Sequence, residues 1–391
     1  MSDKLKVAMV VPYFYPHTGG TEKYVKDLSI ALMRAGHTVE VISSNLPAEK
    51  NALAEEIMEG FKVIRLPATN MFNYLPVTKK KFDIKMLDDY DIVHCHVPAY
   101  GFLREARKSK KPVVVTFHCD ITVSEKYYGV PIPGFIVKLF EWAGAEYGRQ
   151  ILKCADVIYN TTKTYADTSP VLKDMKNIRH IPIGIFHDHI DAMQKKLGLT
   201  EKDKNPKQIL WLGRMAGNKG CDYMVKAMPA ILAKHPDTKL VICGDGEEKA
   251  FINSLIDKFG IRNSIEMYGM VDFAKLVELF YKSLVYVFPS INRLEAFGIV
   301  QLEAMVNNTA VVATDIPGPN AVMDEGKTGY LVPKQDPAAI AEKVNELLSN
   351  PQKAIEMGKA GRRLVETKYD WKGIADQVVE LYKEALAKKE K

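Results

Sequence analysis

The chain has 391 residues, which is long for one hydrophobic core, so two domains are expected. Hydrophobic residues make up 47% and charged residues 26%, a composition that excludes wholesale disorder, a collagen-like chain and a disulfide scaffold. The net charge of +6 is mild; it is compatible with anionic partners, and we expect no nucleic-acid partner.

The sequence shows no sign of export or membrane insertion. It has no run of about 18 or more apolar residues, and its N-terminus lacks the small-residue cleavage site of a signal peptide. Its cysteines are odd in number, scattered and without a CxxC pair: Cys95, Cys119, Cys154, Cys221 and Cys243. This favours free thiols in a reducing compartment. We expect a cytoplasmic protein and leave open peripheral contact at the inner face of a membrane.

Strands and helices alternate through the first half. Lys6–Val11 is a continuous apolar run, typical of a parallel strand covered on both faces. A Gly-Gly loop follows, then a helix over Thr21–Ala35 that ends at Gly36. The next predicted strands are Val39–Ser43, Asp91–Cys95, Val113–His118 and Ala155–Tyr159. Alternation of this kind predicts a parallel α/β sheet.

Phe186–Lys207 interrupts the pattern, because it is polar and rich in lysine. The pattern then restarts, with strands predicted at Gln208–Gly213, Lys239–Cys243, Ser264–Met267, Val285–Phe288 and Ala310–Ala313. We predict an N-terminal domain over 1–190, a linker over 191–207, a second domain over 208–369 and a C-terminal helix over 370–391 that packs back on the first domain. The fold class is α/β, with two doubly wound Rossmann-like domains facing a cleft where ligands bind at the carboxyl ends of strands.

Neither half contains GxGxxG or GxxxxGK[ST], which argues against a nicotinamide or P-loop site. A basic pair instead follows the first strand of the second domain, in Gly213-Arg214 and Lys219-Gly220. Arg214 has the fork geometry for phosphate oxygens and Lys219 adds a point charge, so together they would clamp a diphosphate. The alternative is that both are solvated surface cations.

Two carboxylates stand eight residues apart further along the chain. Glu295 is predicted in a loop and Glu303 within a helix that begins near Gly298, whose start would offer N–H groups to phosphate. The two carboxylates would hold separate hydroxyls of one elongated ligand. The alternative is an unrelated surface pair.

The segment that contains Glu295 and Glu303 resembles the E-x7-E motif of glycosyltransferase family 4, whose members have the GT-B fold. Phe297, Gly298 and Leu302–Met305 match the same motif. Other elements fall in that family's order along nearly the whole chain: Tyr13–Gly20 with Glu22, Val113–His118, Gly213-Arg214 with Lys219-Gly220, Val241–Gly246, Val312–Asp315 and Gly326–Val332.

The resemblance implies retaining transfer of a sugar from a nucleotide-diphosphate donor. Arg214 and Lys219 would neutralise the diphosphate, and Glu303 would hold the ribose hydroxyls. Glu295 would hold the sugar hydroxyls, and His118 would reach the sugar from the N-terminal domain, which selects the acceptor in this family. A lone histidine at a strand end is more often structural, and this alternative stays open for His118.

The resemblance also implies donor-binding residues that act through the backbone or by close approach. These are Gly19, Gly20, Gly213, Gly244, Met270, Val271, Phe297, Gly298, Ile299 and Val300. Within this set, the backbone of 298–300 would support the diphosphate and 270–271 would lie beside the base.

The chemistry needs negative charge on the leaving diphosphate to be stabilised, which fixed cations and helix N-termini do. No essential metal or other cofactor is therefore expected. Asp89-Tyr90-Asp91 spells the DxD of a different glycosyltransferase fold, but it precedes a strand and is interpreted as a strand entry. No convincing covalent nucleophile is present, and the resemblance implies front-face displacement, in which the leaving phosphate takes the acceptor proton.

The N-terminal domain carries a candidate membrane surface. Gly101–Lys111 holds five cations and one Glu, and Lys79-Lys80-Lys81 adds a second cluster. Pro131–Ala145 is strongly apolar, with Phe135, Ile136, Leu139, Phe140 and Ala143 on one helical face. Amphipathic helices mostly face cores, so we expect a core helix here, with docking on an anionic membrane as the alternative.

The sequence thus predicts a retaining hexosyltransferase that uses a UDP- or GDP-sugar and a hydroxyl acceptor, with a membrane lipid or lipid-linked glycan as one acceptor class. Two alternatives remain open. One is a non-hydrolysing nucleotide-sugar 2-epimerase, and the other is a non-catalytic nucleotide-sugar-binding protein.

Overall fold

The computed structural model describes residues 4–46, 53–71, 75–78, 83–98, 100–122, 126–127, 130–131 and 133–389. The chain forms two compact units, Met1–Gly184 with Trp371–Lys391 and, between them in sequence, Ile185–Asp370. In the described part of the chain, no helix is long and apolar enough to cross a bilayer. None of the five cysteines is in a disulfide, as predicted.

The first unit is an α/β unit. Its strands are β1 (Lys6–Val10), β2 (Thr38–Ser44), β3 (Glu55–Met58), β4 (Phe61–Leu66), β5 (Ala68–Met71), β6 (Leu75–Thr78), β7 (Ile92–Val97), β8 (Val113–Phe117), β9 (Lys126–Tyr127), β10 (Val130–Pro131), β11 (Val157–Asn160) and β12 (Arg179–His180). Its helices up to this point are α1 (Gly20–Arg34), α2 (Tyr100–Ala106), α3 (Gly134–Leu152) and α4 (Lys163–Thr168).

The main sheet of this unit has the order β12-β11-β8-β7-β1-β2-β4-β3. Every pairing in it is parallel except β3 with β4, at the edge. β1 is central and its last four residues are buried, as its continuous apolar sequence predicts. Gly36 takes a φ of +94° just after α1, which confirms it as the glycine that ends this helix. Asp91 accepts a hydrogen bond from the Lys6 backbone N–H at 2.7 Å, a contact that fits a strand entry.

The second unit repeats the doubly wound pattern. Its strands are β13 (Asn205–Leu212), β14 (Lys239–Cys243), β15 (Ile265–Gly269), β16 (Ser283–Phe288), β17 (Ala310–Thr314) and β18 (Gly329–Val332). Its helices are α5 (His187–Lys196), α6 (Cys221–Lys234), α7 (Lys249–Lys258), α8 (Phe273–Lys282), α9 (Ile299–Val306), α10 (Pro337–Ser349) and α11 (Pro351–Lys368). The strand order β15-β14-β13-β16-β17-β18 places a topological switch point between β13 and β16. Ligands of such sheets bind outside the carboxyl ends of the strands at this point.

The segment predicted as a linker, 191–207, lies inside the second unit and carries the end of α5 and the start of β13. Polar residues of this segment pack against the rest of the unit. Asp191 pairs with Arg362 at 2.8 Å, and Gln194 donates to Asn307 Oδ1 at 2.8 Å. Lys204 is half-buried, and its ammonium donates to the backbone oxygen of Ser283 at 3.1 Å. Burial lowers the pKa of Lys204 to about 7. High lysine content therefore does not indicate a linker here.

The last helix, α12 (Trp371–Lys389), belongs to the first unit and packs against α1. Trp371 and Tyr382 are buried in that unit, and the Trp371 and Tyr24 ring centroids are 5.6 Å apart.

The expectation of a core helix over the apolar segment 131–145 is wrong for α3. Phe135, Leu139 and Phe140 are exposed, and the helix packs on its unit through Ala145, Gly148, Ile151 and Leu152. The small residues of its second half permit close approach: a Cβ on Gly148 would lie 2.6 Å from the Tyr100 hydroxyl oxygen. The bulky apolar residues of its first half have no such partner surface among the described residues.

Candidate functional site

At the switch point of the second unit, the loops after β13 and β14 lie side by side. The Gly213 backbone N–H donates to the Cys243 oxygen at 3.0 Å, and that of Met215 donates to the Asp245 oxygen at 2.8 Å. Gly244 has a φ of +122°, and a Cβ there would lie 1.9 Å from the Gly213 oxygen. Only glycine fits so close a crossing, so the G-x-G turn brings the two loops into contact.

The loop after β13 also presses against the end of β16. Gly220 has a φ of +65°, and a Cβ there would lie 2.0 Å from the Pro289 backbone oxygen. This contact holds the preceding residue, Lys219, beside the loop that follows β16. The Lys219 ammonium forms an ion pair with the Glu295 carboxylate. The structure therefore brings together two residues that stand 76 positions apart in the sequence.

Gly298 is the junction between that loop and α9, as predicted. Its φ of +81° is left-handed, and a Cβ would lie 2.9 Å from the Phe288 ring. Ile299 and Val300 open the helix, so their backbone N–H groups lack acceptors within it and point out of its positive end. Phe297 is buried against the Tyr369 ring, with centroids 6.1 Å apart, and anchors the loop.

Glu303 is half-buried in α9. Its charge, like that of Glu295, acts on the hydroxyl of the buried residue Tyr286. Burial raises the pKa of the Tyr286 hydroxyl, and the charges of Glu295 and Glu303 raise it further. Tyr286 lies in β16, and its hydroxyl donates to the Leu212 oxygen at 3.4 Å. Both carboxylates therefore act electrostatically on a hydroxyl that lies at the end of β13.

The other residues predicted in this unit lie at the surface. Arg214 is exposed and pairs with Glu247 at 3.3 Å, so binding of a diphosphate would require its guanidinium to leave that partner. Met270 is exposed and Val271 is half-buried. Both follow β15, the edge strand on the β13 side of the switch point. Met270 therefore offers an accessible apolar side chain there.

In the first unit, Gly19 and Gly20 lie where the chain leaves β1 and enters α1. A Cβ on Gly19 would lie 2.5 Å from the Glu22 carboxylate, whereas a Cβ on Gly20 would meet no atom within 4 Å. Glu22 is buried, and burial raises its pKa. Its carboxylate lies 3.9 Å from His17 Nε2. A side chain at Gly19 would displace the Glu22 carboxylate, whereas Gly20 leaves open space beside the loop.

His118 follows β8 directly and belongs to a group of buried aromatic and imidazole rings. Its Nε2 lies 3.1 Å from His96 Nδ1, and the two rings stack at 5.3 Å. The Tyr24 ring lies 4.9 Å from it, edge-on. Burial lowers the pKa of His118 to about 3. The side chain is therefore a neutral imidazole across the physiological range and cannot serve as an acid there.

The same group extends to the sheet and to α12. His94 Nδ1 lies 2.8 Å from the Tyr382 hydroxyl, and its Nε2 lies 2.6 Å from Thr116 Oγ1. His96 Nε2 is buried without a hydrogen-bond partner among the described residues. No sequence pattern predicted that His94 or His96 would meet His118; the register of β7 beside β8, with His96 opposite Thr116, makes that connection.

Tyr286 was also missed, because a tyrosine inside an apolar strand looks like any core residue. No group of three or more histidine, cysteine, aspartate or glutamate side chains in the described ranges has the arrangement of a metal site.

Two family models match the sequence. Glycosyltransferase Family 4 matches residues 18–189, and Glycosyl transferases group 1 matches residues 193–364. Phosphatidyl-myo-inositol mannosyltransferase of Mycobacterium leprae is 27% identical over 385 residues, which cover 97% of this chain and 96% of that protein. Glycogen synthase of Mycobacterium tuberculosis is 24% identical over 403 residues, covering 96% and 94%.

Solved structures agree in fold. Sucrose-phosphate synthase from Thermosynechococcus elongatus has a TM-score of 0.77 at 23% identity and covers 98% of this chain and 99% of its own. Anabaena HepE in complex with UDP and glucose has a TM-score of 0.71 at 15% identity, covering 97% and 99%. These likenesses extend over nearly the whole chain.

Proposed function

Because the chain belongs to glycosyltransferase family 4 and has its GT-B fold, we propose that it moves a hexose-type sugar from a UDP- or GDP-sugar to a hydroxyl acceptor with retention of anomeric configuration. The observation that carries the proposal is the ion pair of Lys219 with Glu295, in the loop that leads into α9, the helix that carries Glu303. Membership of a transferase family favours this function over the epimerase and over a silent binding protein.

The ion pair between Lys219 and Glu295 suggests how the donor is received. A bound diphosphate competes for the Lys219 ammonium, since it carries more charge than one carboxylate. Glu295 is then released to accept hydrogen bonds from the sugar hydroxyls, and Glu303 does the same for the ribose. The N–H groups of Ile299 and Val300 complete the diphosphate contacts.

These groups act on the bond that breaks. As the bond between the anomeric carbon and the phosphate oxygen lengthens, negative charge grows on the diphosphate, and Lys219 with the positive end of α9 stabilises it. This arrangement replaces a divalent metal, and the proposed reaction needs none. Arg214 adds a second cation once it turns from Glu247.

The proposed chemical step is a front-face displacement. The acceptor oxygen bonds to the anomeric carbon on the face from which the diphosphate leaves, and the acceptor proton passes to the leaving phosphate oxygen. His118, as a neutral imidazole, transfers no proton in this step. A covalent glycosyl-enzyme found by mass spectrometry would contradict this step.

For the acceptor we propose a lipid or a glycan hydroxyl. Support comes from the names of the relatives, a phosphatidyl-myo-inositol mannosyltransferase and a glycogen synthase, one a lipid and the other a polysaccharide enzyme. The first unit would hold this acceptor.

The test is calorimetric titration of the metal-free protein with UDP and with GDP. We expect tight binding of one nucleotide, weakened at least about tenfold by Glu303→Ala and by Arg214→Ala, a loss of about 1.4 kcal/mol or more. Arg262→Ala is the matched control, because Arg262 is another exposed arginine of this unit paired with an aspartate, Asp257 at 2.7 Å. Binding of neither nucleotide would refute the donor site.

A further inference from the structure

The first half of α3 presents an apolar surface to solvent. Its large side chains are well exposed: Phe135 73%, Leu139 59%, Phe140 61% and Trp142 63%. Monomeric proteins rarely expose several large apolar side chains together, and such patches mark binding surfaces.

The patch lies on the side of α3 that faces away from its own unit. With 3.6 residues per turn, the side chains of Phe135, Ile136, Leu139, Phe140, Trp142 and Ala143 fall within an arc of about 160°. The residues by which α3 packs on its unit, Ala145, Gly148, Ile151 and Leu152, centre on the opposite side of the helix. The apolar arc is therefore an outward face and not the edge of the core.

A basic run begins beside this helix. Tyr147 extends the apolar arc along α3, and its ring lies 6.0 Å from the ring of Tyr100, the first residue of α2. The run Gly101–Lys111 follows Tyr100 directly and carries five cations and one acidic residue, Glu105. Its net charge is therefore five minus one, or +4. Arg104, Arg107, Lys108 and Lys110 are exposed.

We propose that this face docks the first unit on an anionic lipid bilayer. The aromatic arc of α3 enters the boundary between headgroups and acyl chains, and the run 101–111 faces the lipid phosphates. An apolar arc flanked by cations is the charge pattern complementary to such a surface. A second copy of the chain is disfavoured as the occupant, since a symmetric interface on this face would bring two +4 runs together.

This inference deepens the proposed function, because it gives a lipid acceptor a route to the first unit. It rests on α2 and α3 alone, so it stands or falls separately from nucleotide binding by the second unit.

The chain carries its own reporter for the test. Of the three tryptophans, Trp211 and Trp371 are buried at 1% and 0% exposure, so a change in emission on docking comes from Trp142. The full-length protein is titrated with vesicles of phosphatidylglycerol and phosphatidylcholine, and with vesicles of phosphatidylcholine alone. We expect a blue shift and quenching by brominated acyl chains with the anionic vesicles only, weakened by high salt.

The test variant is Phe135→Gln with Leu139→Gln, which leaves Trp142 in place and changes exposed side chains only. Its vesicle partition should fall at least about tenfold, because two apolar side chains no longer enter the bilayer. Phe251→Gln, an exposed phenylalanine on α7, is the matched control and should bind as the unchanged protein does.

No emission change with anionic vesicles, or equal binding by the test variant, would overturn the proposal. A blue shift that grows with protein concentration in the absence of lipid, together with a dimer in sedimentation, would assign the face to a second copy instead. UDP and GDP titrations of the same preparation separate the two hypotheses: nucleotide binding without vesicle binding refutes docking and leaves the proposed function intact.

Discussion

Replacing Lys219 by methionine removes the cation held beside Glu295 while keeping most of the side-chain volume. In the proposed reaction that cation neutralises the leaving diphosphate. Removing one preorganised donor of this kind costs about 10²- to 10³-fold in rate, or about 2.7–4 kcal/mol of transition-state stabilisation. A Coulomb estimate for unit charges about 4 Å apart near a protein surface, about 4 kcal/mol, has the same size.

The effect on stability should be much smaller. The Lys219 side chain is 30% exposed, so solvent screens its pairing with Glu295, and an exposed or half-exposed ion pair contributes about 0–1 kcal/mol. We therefore expect kcat/KM to fall about 10²- to 10³-fold, with the urea midpoint nearly unchanged. The assay is release of nucleoside diphosphate from the donor that calorimetry selects, without added metal, alongside urea unfolding.

The control is Lys207→Met. Lys207 also pairs with a carboxylate, Asp237 at 2.7 Å, but it lies near the opposite end of β13 from Gly213. It should keep full activity. If Lys219→Met remains within about threefold of the unchanged enzyme, or if Lys207→Met loses as much, charge neutralisation by Lys219 is not the source of catalysis.

Two further predictions concern stability. The pKa of Lys204 is about 7 in the folded protein against 10.5 for an ordinary lysine. Between pH 7 and pH 10.5 the unfolded chain therefore binds more protons than the folded protein. The free energy of unfolding should rise with pH from about 7 upward, by up to about 1.4 kcal/mol per pH unit. Urea unfolding at about pH 6.5 and about pH 9 should show this slope in the unchanged protein and not in Lys204→Met, and equal slopes would contradict the buried amine as its source. Gly244→Ala should weaken nucleotide binding and lower stability by about 1–3 kcal/mol, because its Cβ would lie 1.9 Å from the Gly213 oxygen. The control is Gly260→Ala, where φ is +65° and the space is open; it should lower stability by about 1 kcal/mol and leave nucleotide binding unchanged. An equal loss of stability in the two variants would show that the positive φ matters and the close contact with Gly213 does not.

Features with a local cause could be predicted from the sequence. Buried parallel strands such as β1 appear as unbroken apolar runs, because both faces are covered. Gly36 and Gly298 stand where the backbone must turn with positive φ.

Features that depend on what covers a surface could not be predicted. The periodicity of α3 gave the correct apolar face but not its surroundings, since a face turned to the core and a face turned to solvent have the same spacing. Lys204 was assigned to a polar linker, because the amino-acid composition of the segment does not show that the Lys204 ammonium lies against backbone oxygens. His96 meets His118 through strand register, which no local pattern encodes.

The position of α12 has a consequence for synthesis. Because this helix completes the first unit, the residues up to Gly184 cannot finish that unit until residues 371–389 have left the ribosome. The second unit, Ile185–Asp370, is continuous and is whole before them. Trp371 and Tyr382 close the ring cluster that contains His94 and His118. The unit whose translation starts first is thus finished after its neighbour, and a chain that stops before Trp371 would lack part of the first unit and keep the whole second unit.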